Sequence, residues 1–333
     1  MKQVFPWHHE QLTALAMQQD RLPPGLMICG NRGAGKLRFS LQFARDMLCS
    51  EQGSGCGQCK DCTLVDAGHH PDLHVLTSSA GIDELDESLA AAAARYIPSS
   101  AASTTTGRSI TVDQVRKLIN ALSATSHRNG PKVVLVVTAD AMNRNAANAV
   151  LKVLEEPTDD TFFVLLASLV NRIPATVRSR CVDIVLTLPQ HESLAKYLKS
   201  SFTHDAALIT RCIERAHGVP ELAAQLLNAL DNDRETPQQE WLKVLAEGNL
   251  LSGATIAQLR GAGLRNILPS LQKELCRRIK SELLRIEDGS HAVKLITPHT
   301  AFHLYSEIGR FLTTQSGTID EGLFLDHISG ILE

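Results

Sequence analysis

The most constraining feature of the sequence is a glycine-rich loop between an apolar run and a helical pattern. Residues 30–36 read GNRGAGK and directly follow the apolar run Leu26–Cys29. This arrangement is typical of a P-loop, in which backbone N–H groups of the loop and the N-terminus of the next helix surround phosphates. We therefore predict a P-loop fold. Its candidate phosphate-binding residues are Gly30, Gly33, Gly35 and Lys36.

The residues around this loop argue against nucleotide hydrolysis. P-loop NTPases place Ser or Thr after the loop lysine to hold Mg²⁺, and this chain has Leu37 there. A strand predicted at 133–137 runs into Thr138, where Asp and Glu would complete the metal and water site. The nearest acid, Asp140, is interpreted as a loop or helix-cap residue. We predict no ATP hydrolysis by this chain alone, and leave open whether nucleotide binds weakly or not at all.

Apolar runs alternate with helical patterns through the first 190 residues. The runs are Leu26–Cys29, Leu73–Leu76, Val133–Val137, Phe162–Ala167 and Val182–Leu186. They are apolar at consecutive positions, as in strands that are covered on both faces. This pattern predicts an α/β domain with a parallel sheet between two layers of helices.

The strand signals stop after Pro189, and the remaining chain shows apolar residues at helical spacing. A polar stretch at 231–237 with a proline suggests a further boundary. The predicted domains are a P-loop domain over 1–188, a small helical lid over 189–232 and an all-helical domain over 233–333. Residues 78–109 are rich in Ala, Ser and Thr, and are predicted to be a surface insertion that buries little.

Four of the eight cysteines crowd into a short stretch as Cys49-x6-Cys56-x2-Cys59-x2-Cys62. Four thiolates at this spacing can surround a tetrahedral ion, and a site without an open position is structural, so we predict structural zinc. An iron–sulfur cluster is the rival, but the ferredoxin pattern has proline after the last cysteine, where this chain has Thr63. Four free thiols are the third possibility.

The composition bears on partners and location. The net charge is −3 and only 4% of residues are aromatic, so a zinc-ribbon protein that grips nucleic acid by itself is disfavoured. The sequence shows no apolar run of membrane-spanning length and no secretory pattern at its start, so the expected location is cytoplasmic. The histidine pairs His8-His9 and His69-His70 are expected in surface or capping roles.

Several motifs resemble the clamp-loader branch of the AAA+ family, and within it the delta prime type of bacterial DNA polymerase III. They read FPW at 5–7, HPD at 70–72, NAVLKVLEEP at 148–157 and RSRC at 178–181, and the cysteine cluster belongs with them. The resemblance covers most of the first predicted domain. The last hundred residues carry no motif.

The resemblance implies a pentameric ring in which gamma or tau subunits bind ATP, delta opens the sliding clamp, and this chain completes the ring. The C-terminal helices would then form a collar for oligomerisation. The implied partners are the gamma/tau and delta subunits and, through the complex, the clamp and primed DNA, with no membrane. It also implies a subunit of a DNA-directed DNA polymerase, a nucleotidyltransferase, without ATPase or polymerase activity in this chain alone.

The resemblance further implies a role for Arg180, which would face an adjacent subunit and act there as an arginine finger in trans. The alternative is that Arg180 makes an ordinary ion pair with Glu155 or Glu156. A gamma/tau-type ATPase is the alternative function for the whole chain. Against it, the paralogues that hydrolyse ATP have an arginine after a glycine in the second domain, where this chain has Glu221.

Overall fold

The computed structural model describes residues 3–18, 21–51, 55–97, 109–123, 126, 130–157, 160–231 and 298–313, and single residues 268, 272, 275, 276, 324, 327 and 328. The chain divides into two units, Met1–Leu188 and Pro189–Glu333. Most of the predicted third domain, 233–333, lies outside the described residues. Among those described, no helix combines the length and apolarity that a bilayer crossing needs.

The first unit is built on a parallel five-stranded sheet. Its strands are β1 (Gly25–Cys29), β2 (Leu73–Leu76), β3 (Lys132–Val136), β4 (Thr161–Ala167) and β5 (Val182–Val185). The strand order is β2-β3-β4-β1-β5. Leu26 of β1 lies opposite Val164 of β4 on one side and Val182 of β5 on the other. The predicted sheet is confirmed. Since all strands are parallel, the loops after β1, β3 and β4 meet at one edge.

The helices of this unit alternate with the strands. They are α1 (His9–Ala16), α2 (Lys36–Leu48), α3 (Lys60–Asp66), α4 (Glu87–Ala94), α5 (Val112–Leu122), α6 (Arg144–Glu155) and α7 (Ala175–Arg178). Short 3-10 turns occur at Pro6–His8, Ser79–Glu84, Ala139–Ala141 and Val170–Arg172. Side chains cap several N-termini: Asn143 accepts from the Ala146 N–H at 2.8 Å, and Thr111 and Gln114 form a reciprocal capping box. These caps satisfy N–H groups that would otherwise lack partners.

Two apolar layers sandwich the sheet. Alternate strand residues such as Ile28 and Leu135 pack with α2, α3 and α4 on one face. Their neighbours, such as Met27 and Val134, pack with α5, α6 and α7 on the other face. Complete burial of one such side chain contributes about 1.5–3 kcal/mol, so both layers stabilise the sheet. The predicted cover on both faces is therefore confirmed for the inner strands.

Strand β5 differs from this prediction. Val182 is 49% exposed and Val185 is 56% exposed. Edge position alone does not explain this exposure, because β2 lies at the other edge of the sheet and is buried throughout. Helices α4 and α5 pack on β2, whereas the described helices give β5 no comparable cover.

The reading of 78–109 as a surface insertion that buries little is wrong for its described part. Residues 78–97 form a 3-10 turn and helix α4, capped by Asp86. Leu89, Ala92, Ala93 and Tyr96 are at most 5% exposed. Small alanines allow the helix to approach the sheet closely, so a low-complexity composition still builds core here. Residues 98–108 lie outside the described part of the chain.

The second unit is helical wherever it is described. Its helices are α8 (His191–Ser201), α9 (Ala206–Arg215), α10 (Pro220–Asp231) and α11 (Pro298–Thr313). Asp205 caps α9 by accepting from the Leu208 N–H at 2.6 Å. Helix α9 ends in a tight turn in which the Gly218 N–H, at φ 72°, donates to the Ile213 carbonyl at 2.9 Å. The boundary proposed near 232 remains a prediction.

Candidate functional site

The P-loop joins β1 to α2, and Gly35 is a position where this loop requires glycine. Gly35 has φ 95°, in the left-handed region that favours glycine, and a Cβ there would lie 2.5 Å from Cδ2 of Phe5. Gly35 is also the N-cap of α2 and has no side chain to cap it. The helix N-terminus therefore presents backbone N–H groups and positive potential to the loop, as anion binding requires.

Lys36 is folded over its own loop. Its Nζ donates to the carbonyl oxygens of Gly30 and Asn31, both at 2.8 Å, and to Ser168 Oγ at 2.9 Å. Ser168 follows β4, so the lysine ties the loop after β1 to the loop after β4. A phosphate would have to draw the ammonium group away from these acceptors.

The groups that would hold Mg²⁺ and activate water are not at the end of β3. Leu37 is half-buried and packs against the apolar layer of α2. Thr138 Oγ1 lies 3.2 Å from Thr77 Oγ1. Asp140 Oδ2 accepts the backbone N–H groups of Ser168 at 3.2 Å and Leu169 at 2.8 Å. Asp140, interpreted from the sequence as a loop or helix-cap residue, lies in the 3-10 turn Ala139–Ala141 and binds the loop after β4.

The N-terminal segment closes one side of the P-loop. Phe5 stacks on Trp7 with ring centroids 4.8 Å apart, and Arg38 of α2 lies over the Phe5 ring at 4.4 Å. His8 is 1% exposed, and its Nε2 lies 3.2 Å from the Thr187 carbonyl oxygen. Burial lowers the pKa of His8. The expected surface role is wrong for His8, because this ring belongs to the core.

The four cysteines of the cluster converge. Their Sγ atoms all lie within 4.8 Å of one another, with Cys49–Cys59 and Cys56–Cys62 each at 3.9 Å. Tetrahedral zinc with Zn–S bonds of about 2.3 Å requires sulfurs about 3.8 Å apart, so the four positions fit that ion. Hydrogen bonds from the Ser50 side chain and the Cys62 backbone lower the pKa of Cys59, whereas burial raises the pKa of Cys62.

The cluster is anchored to β2 by a buried pair. His70 Nδ1 accepts the Asp72 N–H at 3.1 Å, which places the ring proton on Nε2, 3.4 Å from Asp61 Oδ1. Asp61 and His70 are 1% and 2% exposed, so of the two roles expected for His70 the surface role is wrong, while its acceptance of the Asp72 N–H agrees with a capping role. Since Asp61 precedes Cys62 in α3, the pair fixes this ligand relative to the sheet.

The cluster is also anchored to the P-loop helix. Arg45 of α2 forms an ion pair with Asp66 of α3. A Cβ on Gly55, at φ 48°, would lie 2.2 Å from Asp46 Oδ1. The cysteine segment thus packs directly on α2, the helix that begins at the P-loop.

Arg180 is partly exposed and hydrogen-bonded. Its Nη2 lies 2.5 Å from Glu155 Oε1, and its Nη1 donates to the Thr176 carbonyl at 3.0 Å. The side chains of Arg180 and Glu155 are 38% and 43% exposed. The ion pair considered from the sequence is therefore present, and it leaves the guanidinium accessible. Burial raises the pKa of the adjacent Cys181 to about 12, so this thiol is protonated and a poor nucleophile.

The structure does not bring Arg180 and the P-loop together. The Arg180 carbonyl lies beside Gly25, where an added Cβ would be 2.9 Å from it, and the P-loop follows Cys29 at the other end of β1. A strand of five residues spans about 13 Å between its first and last Cα atoms. The sequence singled out both sites but not their separation.

Comparisons with known proteins show the family to which this chain belongs. Residues 8–190 match the protein family described as "DNA polymerase III, delta subunit". The chain is 32% identical over 230 residues to DNA polymerase III subunit delta' of Pseudomonas aeruginosa, covering 68% of this chain and 62% of that protein. It is 30% identical over 261 residues to the protein of the same name from Escherichia coli, covering 74% of this chain and 70% of that protein.

More distant relatives agree in fold. A DNA polymerase III subunit gamma of Buchnera aphidicola is 27% identical over 215 residues, covering 62% of this chain and 52% of that protein. The crystal structure of a DNA polymerase III gamma subunit-related protein from Thermotoga maritima superposes with a TM-score of 0.50 at 16% identity, covering 97% of this chain and 98% of that one. This likeness concerns the fold alone and agrees with the predicted P-loop architecture.

Proposed function

Because the chain belongs to the DNA polymerase III delta prime family, we propose that it is a non-hydrolysing clamp-loader subunit that helps to load a sliding clamp onto primed DNA. In this proposal it completes a ring with gamma or tau and delta subunits, and its C-terminal helices contribute to a collar. The alignments span 62% of the length of the Pseudomonas relative, so these partners are part of the proposal.

The separation of Arg180 from this chain's own P-loop is the observation that carries the proposal. The arginine backbone lies at the start of β1, and the loop lies at its end. An arginine so placed is remote from a nucleotide in the same chain but is accessible to another subunit. This supports an arginine finger in trans, which would stabilise charge on the γ-phosphate of a neighbour's ATP.

The surroundings of the P-loop support the absence of hydrolysis. Leu37 has no ligand atom for Mg²⁺, and Asp140 is engaged with backbone N–H groups after β4. Phosphoryl transfer depends on metal and positioned water more than on the loop itself. The loop and Lys36 thus retain the fold of a nucleotide site without its chemistry.

Zinc is the ion that we propose for Cys49, Cys56, Cys59 and Cys62. The convergence of the four sulfurs fits a tetrahedral ion with four thiolate ligands, and such a site leaves no position for catalytic water. Its chemistry is that of a cross-link, which joins the chain before Gly55 to helix α3. The segment is then held on α2 and β2 by the Arg45–Asp66 and Asp61–His70 pairs.

The test is reconstitution of the clamp loader with and without this chain. We expect the chain to co-purify with the gamma or tau and delta subunits, and clamp loading on primed DNA to be lost when it is omitted. Absence from the complex would reject the proposal. DNA-stimulated ATPase activity of the isolated chain, abolished by Lys36→Ala, would instead favour the gamma/tau-type function.

A further inference from the structure

We propose that Glu155 is a positioning residue for Arg180, one that fixes the direction in which the guanidinium faces a neighbouring subunit. This inference rests on the proposed trans role of Arg180. In this role the ion pair orients the Arg180 side chain, which an ordinary surface contact would not do.

The backbone of Arg180 is fixed by close packing against β1. An added Cβ on Gly25 would lie 2.9 Å from the Arg180 carbonyl oxygen, 3.0 Å from Cys181 Sγ and 3.0 Å from Leu154 Cδ2. The space beside Gly25 is therefore filled by the segment that carries the arginine and by α6. The remaining freedom of Arg180 lies in its side chain.

Glu155 and a backbone carbonyl remove much of that freedom. Glu155 Oε1 contacts Nη2 at 2.5 Å, and the Thr176 carbonyl accepts from Nη1 at 3.0 Å. Both partners stand on fixed elements, because Glu155 ends α6 beside Leu154, which is 4% exposed, and Thr176 lies in α7. The planar guanidinium is thus held at two of its nitrogen atoms.

This arrangement orients the Arg180 guanidinium and does not withhold it from another binding partner. A guanidinium has five N–H donors in a fixed fork, so donors remain after these two contacts. A pair with both side chains about 40% exposed is screened by water, so its attraction is too weak to withhold the arginine from a phosphate. Glu155 therefore restricts where the charge is offered without blocking it.

The experiment uses Glu155→Gln and Glu156→Gln in the fully reconstituted complex. Both changes remove one exposed negative charge from adjacent positions, and Glu156 is the matched control because the structure pairs Arg180 with Glu155. We expect Glu155→Gln to lower the kcat of ATP hydrolysis about three- to fivefold with little change in KM, the factor that corresponds to a surface ion pair. Glu156→Gln should match the wild type.

A double variant separates positioning from a general structural effect. In an Arg180→Ala background, Glu155→Gln should have no further effect on kcat, and thermal unfolding should be similar for both glutamine variants. If Arg180→Ala lowers hydrolysis but Glu155→Gln does not, or if Glu155→Gln raises it, the positioning role is wrong and the trans role stands. If Arg180→Ala in an assembled ring has no effect, both are wrong.

Discussion

Lys36 Nζ donates a hydrogen bond to Ser168 Oγ across 2.9 Å, so the P-loop lysine binds the neighbouring loop of its own sheet. In this position the ammonium group stabilises the fold by joining the loop after β1 to the loop after β4. Asp140, the carboxylate that follows β3 at this edge, is engaged in stabilising the loop after β4 through the N–H groups of Ser168 and Leu169.

The first prediction concerns hydrolysis. The isolated chain should release no phosphate from ATP, and Leu37→Thr should remain inactive because a restored hydroxyl still lacks the acids at the end of β3. Phosphate release with and without primed DNA measures this. ATP hydrolysis by Leu37→Thr would show that the missing hydroxyl at residue 37 alone accounts for the inactivity.

The second prediction concerns Arg180. Arg180→Ala should leave folding and assembly intact while lowering ATP hydrolysis and clamp loading by the reconstituted complex at least about tenfold. Fingers in single-site hydrolases contribute about 10³–10⁵, and a ring with several sites should lose less. Arg180→Lys should also be impaired, because lysine keeps the charge without the planar fork. Arg178→Ala, an exposed arginine two residues earlier in the chain, is the control.

The third prediction concerns metal. Protein purified without chelator should contain about one zinc ion per chain, and Cys62→Ser should lose it. Removal of the zinc ion should unfold the segment around 49–62 without necessarily unfolding the sheet, because α2 and β2 pack in an apolar layer that does not depend on the metal. Elemental analysis and circular dichroism measure the two effects. Iron with visible absorbance, or no metal at all, would contradict the assignment.

The fourth prediction concerns acid stability. His74 of β2 is buried, with Nδ1 2.5 Å from the Tyr96 hydroxyl, and burial together with Arg95 and Lys132 lowers its pKa to about 4, although Asp72 opposes this shift. The folded state then binds fewer protons than the unfolded state, so stability is complete above pH 6.5 and falls between about pH 6.5 and 4. The total loss is on the order of 3 kcal/mol.

Urea unfolding of wild type and His74→Gln across this pH range tests the contribution. Other groups also contribute to acid stability, so the quantity of interest is the difference between the two proteins. The wild type should lose more stability on acidification than His74→Gln. Parallel curves would show that His74 is not responsible.

The fifth prediction concerns glycine packing. Gly25→Ala should destabilise the protein by about 1–3 kcal/mol, because the new methyl group meets the backbone carbonyl of Arg180 at 2.9 Å. Gly130→Ala is the matched control: no atom lies within 4 Å of its added Cβ, and it should stay within about 0.5 kcal/mol. Equal unfolding midpoints for the two variants would contradict the close packing at Gly25.

Local pattern predicted much of this fold. Strands with consecutive apolar residues were recognised, and the convergence of the four cysteines followed from their spacing. The helix that contains Leu89 could also have been recognised, since Leu89, Ala92, Ala93 and Tyr96 recur at i, i+3, i+4 and i+7. The prediction of a surface insertion over 78–97 rested on composition and not on this periodicity, and it was wrong.

Other features depend on contacts between distant parts of the chain. The exposure of Val182 depends on which strands the helices cover, since β2 at the other edge is buried, and a single strand does not reveal this. The burial of His8 depends on Thr187, far along the sequence. The separation of Arg180 from the P-loop depends on the parallel pairing of β1 and β5, since Arg180 precedes β5 and the loop follows β1.

The contact between Phe5 and Gly35 restricts which residue can occupy position 35. A side chain at residue 35 would meet both an aromatic ring 2.5 Å away and a left-handed backbone, whether or not a nucleotide ever binds. The packing of the N-terminal segment alone therefore requires glycine at residue 35, so a glycine in this loop is evidence of that packing as much as of nucleotide binding.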